Sequence, residues 1–144
     1  MNTSASGRAP HVLLVDDAPD IRELLRDVLE DEGYRVTSRA TVQQLATVRE
    51  LAPDLIVHDL LFAEHAPSGW TFVHALRQDP QVGHLPVILC TADGRVRTDA
   101  CLVQQVRRLG LRVVLKPFDL TDFLALLATA LPRPGEFAPG ALST

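Results

Sequence analysis

Apolar residues recur along this chain in two rhythms that take turns. His11-Val12-Leu13-Leu14-Val15 is a short continuous run of strand formers, and it stops at Asp16-Asp17. The next segment, DIRELLRDVLEDEG, places Ile21, Leu24, Leu25, Val28 and Leu29 on one stripe of helical period, with Asp20 as candidate cap, Glu23 three residues on and Gly33 to close it. Tyr34 to Ser38 is a second strand. Thr41 to Leu51 repeats the helical pattern through Val42, Leu45, Val48 and Leu51 until Pro53 breaks it. Leu55-Ile56-Val57 begins a third strand. Ser68 then caps a helix carrying Phe72, Val73 and Leu76, which Asp79-Pro80 ends. Pro86 to Thr91 is a fourth strand. A less regular helix follows over 96–109, with Val96, Ala100, Val103 and Val106, and Gly110 closes it. Leu111 to Leu115 is the fifth strand, and Asp119 caps a last helix through Leu120, Phe123, Leu124, Leu127 and Leu131, before Pro132 and Pro134.

Strand and helix alternate five times. Strands made of continuous apolar runs are buried on both faces, and interposed helices imply parallel pairing with right-handed crossovers. The expected fold is α/β: a five-stranded parallel sheet, doubly wound as (βα)5 in the flavodoxin-like order. Residues 10–132 form the domain, between flexible tails at 1–9 and 133–144, and 144 residues suit a single core. A net charge of −4 disfavours a phosphate-backbone surface. No apolar segment is long enough for a bilayer span and MNTSASGRAP has no signal-peptide core, so a cytoplasmic protein is expected. Cys90 and Cys101 read as small apolar fillers, not as a disulfide framework or a zinc site.

Sheets of this kind carry their site outside the carboxyl ends of the strands. Strand one ends at Asp16-Asp17, strand three at Asp59, strand four at Thr91 and strand five at Lys116-Pro117. Each residue alone is an ordinary polar strand end. Together they bring three carboxylates, a hydroxyl and an ammonium to one rim. Two carboxylates about 4 Å apart repel by about 4 kcal/mol at an effective dielectric near 20, so such a group takes up protons or shares a cation. A few hard oxygen ligands suit Mg²⁺ with a phosphate as co-ligand, and a carboxylate nucleophile can form an aspartyl phosphate. The chemistry read from these positions is phosphoryl transfer to Asp59. A cofactor-binding reading on the same fold is weak, because Asp16-Asp17-Ala18-Pro19 stands where a glycine-rich phosphate loop would follow strand one.

The segments VLLVDDAPDIRELL (12–25), PDLIVHDL (53–60), PVILCTA (86–92) and LKPF (115–118) resemble, in order and spacing, those of the response-regulator receiver (CheY-like) family, and the resemblance covers residues 10–132. It implies that Asp59 is the phospho-acceptor. Asp17, Asp59 and the main-chain carbonyl of Leu61 would ligate Mg²⁺ directly, with Asp16 acting through water. Thr91 would be the switch hydroxyl, Lys116 the lysine on the phosphoryl group, and Lys116–Pro117 a cis bond. Implied partners are a sensor histidine kinase or histidine phosphotransfer protein as donor, and a downstream target on the face of the fourth helix, fifth strand and fifth helix. A second copy of the chain is a further candidate partner. The protein would not be a turnover enzyme but would catalyse only its own phosphoryl transfer and dephosphorylation. With no effector domain after the last helix, direct DNA binding is not expected.

Four features depart from the family pattern. Val113 stands where an aromatic usually follows the switch hydroxyl. The loop after Asp59 has Ala63 in place of proline and about two extra residues, including Glu64 and His65. Leu61 cannot orient an attacking water, and Asp93 occupies a position that tends to tune phosphate lifetime. His58, if the strand alternates, points away from the acceptor into the core or toward another subunit. These departures leave an alternative: an adaptor that keeps the fold and binds partners independently of phosphorylation.

Overall fold

A computed structural model describes residues 9–42, 44–59 and 68–131. Five parallel strands, β1 (His11–Val15), β2 (Arg35–Arg39), β3 (Leu55–Asp59), β4 (Val87–Thr91) and β5 (Arg112–Leu115), form one sheet in the order β2-β1-β3-β4-β5. The helices are α1 (Pro19–Asp31), α2 (Leu45–Leu51), α3 (Ser68–Gln78), α4 (Arg95–Thr98), α5 (Ala100–Arg108) and α6 (Leu120–Ala130). This is the flavodoxin-like order that alternation of strands and helices predicts.

The inner strands β1, β3 and β4 bury both faces, which is why they carry continuous apolar runs, while the edge strand β2 (RVTSR) is half-buried to exposed. Val12, Leu14, Leu55, Val57, Ile88 and Cys90 lie in the layer that contains Leu25 and Leu29 of α1 and Phe123 and Leu127 of α6. Leu13, Val15, Ile56 and Leu89 lie in the opposite layer with Val48 of α2 and Phe72, Val73 and Leu76 of α3. The period of two thus assigns successive residues of one strand to opposite cores.

Helix ends follow the sequence with four differences, one being Ser68, which is the first residue of α3 and not the cap before it. Gly33 closes α1 as expected: its N–H donates to the Glu30 carbonyl at 2.9 Å and that of Tyr34 to the Leu29 carbonyl at 3.0 Å, which seats Tyr34 in the core beside Leu29. Asp119 caps α6, accepting from the Thr121 N–H at 2.7 Å. Asp20, however, does not cap α1. Ala18 holds the cap position with no side-chain bond, Pro19 opens the helix and Asp20 lies in its first turn. The helix expected over 41–51 begins at Leu45. The helix expected over 96–109 is two, because extended backbone at Asp99 (φ −85°, ψ 121°) ends α4 while its carboxylate accepts from the N–H groups of Cys101 and Leu102 to start α5.

Candidate functional site

Parallel register brings all five carboxyl ends to one edge. Asp59 lies opposite Cys90 and Thr91 opposite Leu115, while Asp16 and Asp17 follow β1 on the other side of β3. The order reverses between β1 and β3, so the acidic residues stand at the switch point, where open sheets of this type bind ligands.

Oxygens of Asp16, Asp17 and Asp59 lie within 4.8 Å of one another, and among the described residues no other group of acidic, His and Cys ligands is so placed. Asp16 is buried, Asp17 exposed and Asp59 half-buried. Lys116 Nζ sits 3.4 Å from Asp16 Oδ2 and 3.3 Å from Asp59 Oδ1. Burial penalises the charged form of Asp59, and although Lys116 opposes this, nearby Asp16 adds to it, so the carboxyl is pushed up to about 6. At Lys116 burial favours the neutral amine, but Asp59 and Asp16 outweigh it and raise its pKa. The rim is therefore short of positive charge, and three hard oxygen donors this close fit a small divalent cation such as Mg²⁺. Leu61, expected to add a main-chain ligand, lies outside the described residues, as do Ala63, Glu64 and His65 of the lengthened loop.

Thr91 is buried, and its Oγ1 accepts from the Asp93 N–H at 3.1 Å. Its carbonyl accepts from the Lys116 N–H at 2.7 Å, tying β4 to the lysine. The Lys116–Pro117 bond is cis, as the family resemblance implies. Asp93 is paired with the guanidinium of Arg95. Val113, in place of an aromatic, packs against the apolar layer that holds Leu89.

His58 packs its ring in the layer of Phe72, as alternation requires, while hydrogen bonding with the Asp59 backbone. It is buried with its ring 5.5 Å from that of Phe72, and burial lowers its pKa. A separate groove of about 500 Å³ opens at the amino ends of the strands, lined in part by Arg49, Pro53, His84, Leu85 and Leu131, away from the carboxylates.

Sequence reasoning missed Arg22. Its Nη1 donates to the Asp16 carbonyl at 2.8 Å. The only signal was its spacing of one helical turn past Ala18, since a solvated arginine on α1 reads the same way.

A doubly wound sheet with an acidic switch point is the architecture of a signalling receiver, and comparison with known proteins gives the same class. Residues 12–128 match the model of the response regulator receiver domain, and the chain belongs to that family. It is 31% identical over 125 residues to the DNA-binding dual master transcriptional regulator RpaA of Synechocystis sp., covering 86% of this chain and 50% of that protein. It is 33% identical over 97 residues to the polar-differentiation response regulator DivK of Brucella ovis, covering 62% of this chain and 77% of that one. The chain thus spans about half the length of the Synechocystis relative. Among solved structures, Vibrio cholerae chemotaxis protein CheY4 superposes with a TM-score of 0.71 at 27% identity, covering 85% of this chain and 99% of that one. TrrA of Thermotoga maritima, solved in complex with Mg²⁺–BeF, superposes with a TM-score of 0.66 at 25% identity, covering 85% and 99%. Receiver domains are signalling modules of two-component systems that work with histidine kinases and downstream targets. No helix among the described residues is long and apolar enough to cross a membrane.

Proposed function

We propose that this chain is a single-domain response regulator of a two-component or phosphorelay system, working in the cytoplasm over residues 10–132. Asp59 takes a phosphoryl group from the phosphohistidine of a histidine kinase or phosphotransfer protein. A carboxylate oxygen of Asp59 bonds to phosphorus as the phosphorus–nitrogen bond breaks, and the donor imidazole leaves with that electron pair. Asp17 and Asp59, with Asp16 through water, would hold Mg²⁺, which when bound offsets the phosphoryl charge. Lys116 Nζ then holds one phosphoryl oxygen and the Thr91 hydroxyl another. The observation that carries this reading is the placing of Lys116 Nζ between Asp16 and Asp59, 3.4 and 3.3 Å away, at the one acidic rim. Movement of the Thr91 hydroxyl toward the phosphoryl group would alter binding of a downstream protein on the face of α4, α5, β5 and α6.

Incubation with Mg²⁺ and a small phosphodonor, followed by intact mass, tests it. The wild type gains one phosphoryl group and Asp59→Asn gains none. Equal labelling of both, or no labelling of the wild type, contradicts the assignment.

Val113 supports a second reading, an adaptor that binds its partner whatever the state of Asp59, because the usual aromatic is not there to follow the hydroxyl. It predicts the same partner affinity with and without beryllofluoride. The first reading predicts a clear change.

A further inference from the structure

The geometry assigns Arg22 as a positioning residue for the divalent cation, acting through the Asp16–Asp17 peptide. This rests on the metal-binding role proposed for Asp17.

Three hydrogen bonds close a circuit around Asp17. Asp16 Oδ1 accepts from the Ala18 N–H at 2.9 Å. The Ala18 carbonyl accepts from the Arg22 N–H at 2.9 Å. Arg22 Nη1 returns to the Asp16 carbonyl at 2.8 Å. A fourth bond, from the Asp16 N–H to the Arg39 carbonyl at 3.1 Å, anchors the circuit to β2. The Asp16 carbonyl lies after β1 and before α1, where no ladder or helix bond among the described residues serves it, and a backbone carbonyl in that position needs a partner. The guanidinium is that partner. It thereby fixes the plane of the peptide that carries the Asp17 N–H, and so the direction in which Asp17 leaves the backbone. The Asp17 side chain takes no part in the circuit and is exposed at the rim, while its own backbone is held from both sides.

The charge of Arg22 and its hydrogen bond make opposite demands. A cation bonded to the main-chain carbonyl of Asp16 competes electrostatically with a metal ion at the neighbouring carboxylates, so removing it should by Coulomb energy alone tighten metal binding. A group that orients a ligand should, when removed, weaken it, by about tenfold or more for outer-sphere partners of metal sites. The two cations also differ in what they demand. Mg²⁺ requires near-ideal octahedral geometry, whereas Ca²⁺ tolerates varied oxygen positions. Loss of positioning should therefore be felt by Mg²⁺ and hardly by Ca²⁺.

Calorimetric titration of Mg²⁺ and of Ca²⁺ into wild type and Arg22→Met, with thermal melts to verify folding, separates these effects. Methionine keeps an unbranched stem and helix propensity but has no donor. The expected result is Mg²⁺ affinity lower by about tenfold with Ca²⁺ affinity changed less than about twofold. Arg22→Gln, which retains N–H donors without the charge, serves if the methionine variant does not fold, and there the Mg²⁺ loss should be smaller. Mg²⁺ binding as tight as or tighter than wild type, or an equal loss for both cations, overturns the assignment. Failure of the wild type itself to bind Mg²⁺ would instead overturn the metal-binding role of Asp17 on which it rests.

Discussion

At Asp59, burial and Asp16 outweigh Lys116, and the carboxyl is raised from 3.8 to about 6. The folded protein therefore holds that proton more tightly than the unfolded chain does. Linkage then requires the contribution of Asp59 to stability to be fully present below about pH 4 and to be lost as pH rises through about 6. Above that pH the ionised carboxylate is a liability unless a cation is bound. Asp59→Asn should be more stable than wild type at pH 7.5 in a chelator, by about 1–2 kcal/mol once solvent screening at a half-buried group is allowed for, and the two should converge at pH 4. Added Mg²⁺ should raise the wild-type melting temperature more than that of the variant. A variant less stable than wild type in chelator at pH 7.5 would contradict the electrostatic account of this rim. Asp16, Asp17, Asp59, Thr91 and Lys116 were each legible as residues that end a strand, because a buried parallel strand has to stop where polarity begins. Arg22 was not, since its function lies in a bond to a main-chain carbonyl that no side-chain pattern records.

Among the elements, strands were read more faithfully than helix boundaries. Continuous apolar runs left little choice of register, and alternation alone turned His58 toward the core or another subunit; the structure puts it in the core, its ring 5.5 Å from that of Phe72. Helix ends depend on local competition for backbone groups. Asp20 lost the cap of α1 because the helix starts at Pro19, two residues earlier than an Asp20 cap would place it, and Asp99 divided the fourth helix because its side chain captures two N–H groups of the following turn. The turn after α3 shows such competition with a larger stake. Arg77 donates to the carbonyls of Leu109 at 2.7 Å, Gly83 at 3.0 Å and Leu85 at 2.6 Å, joining α3 to the turn and to the end of α5. At Gly83 a Cβ would stand 2.5 Å from the Asp79 carbonyl oxygen and 2.7 Å from that of Arg77, both fixed backbone. Gly83→Ala should cost about 1–3 kcal/mol by overpacking. Arg77→Met should cost about 2 kcal/mol by leaving carbonyls without a donor. Denaturant titration checks both, and a neutral Gly83→Ala would show that the turn has room it does not display here.

The whole molecule is a sheet whose order reverses beside its acidic cluster, so that fold and site are consequences of one topology. That link made the site accessible from sequence: the ends of four strands, the first, third, fourth and fifth, converge once the sheet is parallel. It also explains what stayed out of reach. Partner identity and phosphate lifetime depend on surfaces and on the loop after Asp59, where Leu61, Glu64 and His65 lie outside the described residues. The central claim is that Asp59 accepts a phosphoryl group with the help of a divalent cation. The most direct measurement is to incubate the protein with a small phosphodonor, with Mg²⁺ or with chelator, trap the acyl phosphate by borohydride reduction and map it by tandem mass spectrometry. The account predicts modification at Asp59 alone, lost when Mg²⁺ is removed. Modification at another residue, or at Asp59 to the same extent in chelator, would contradict it.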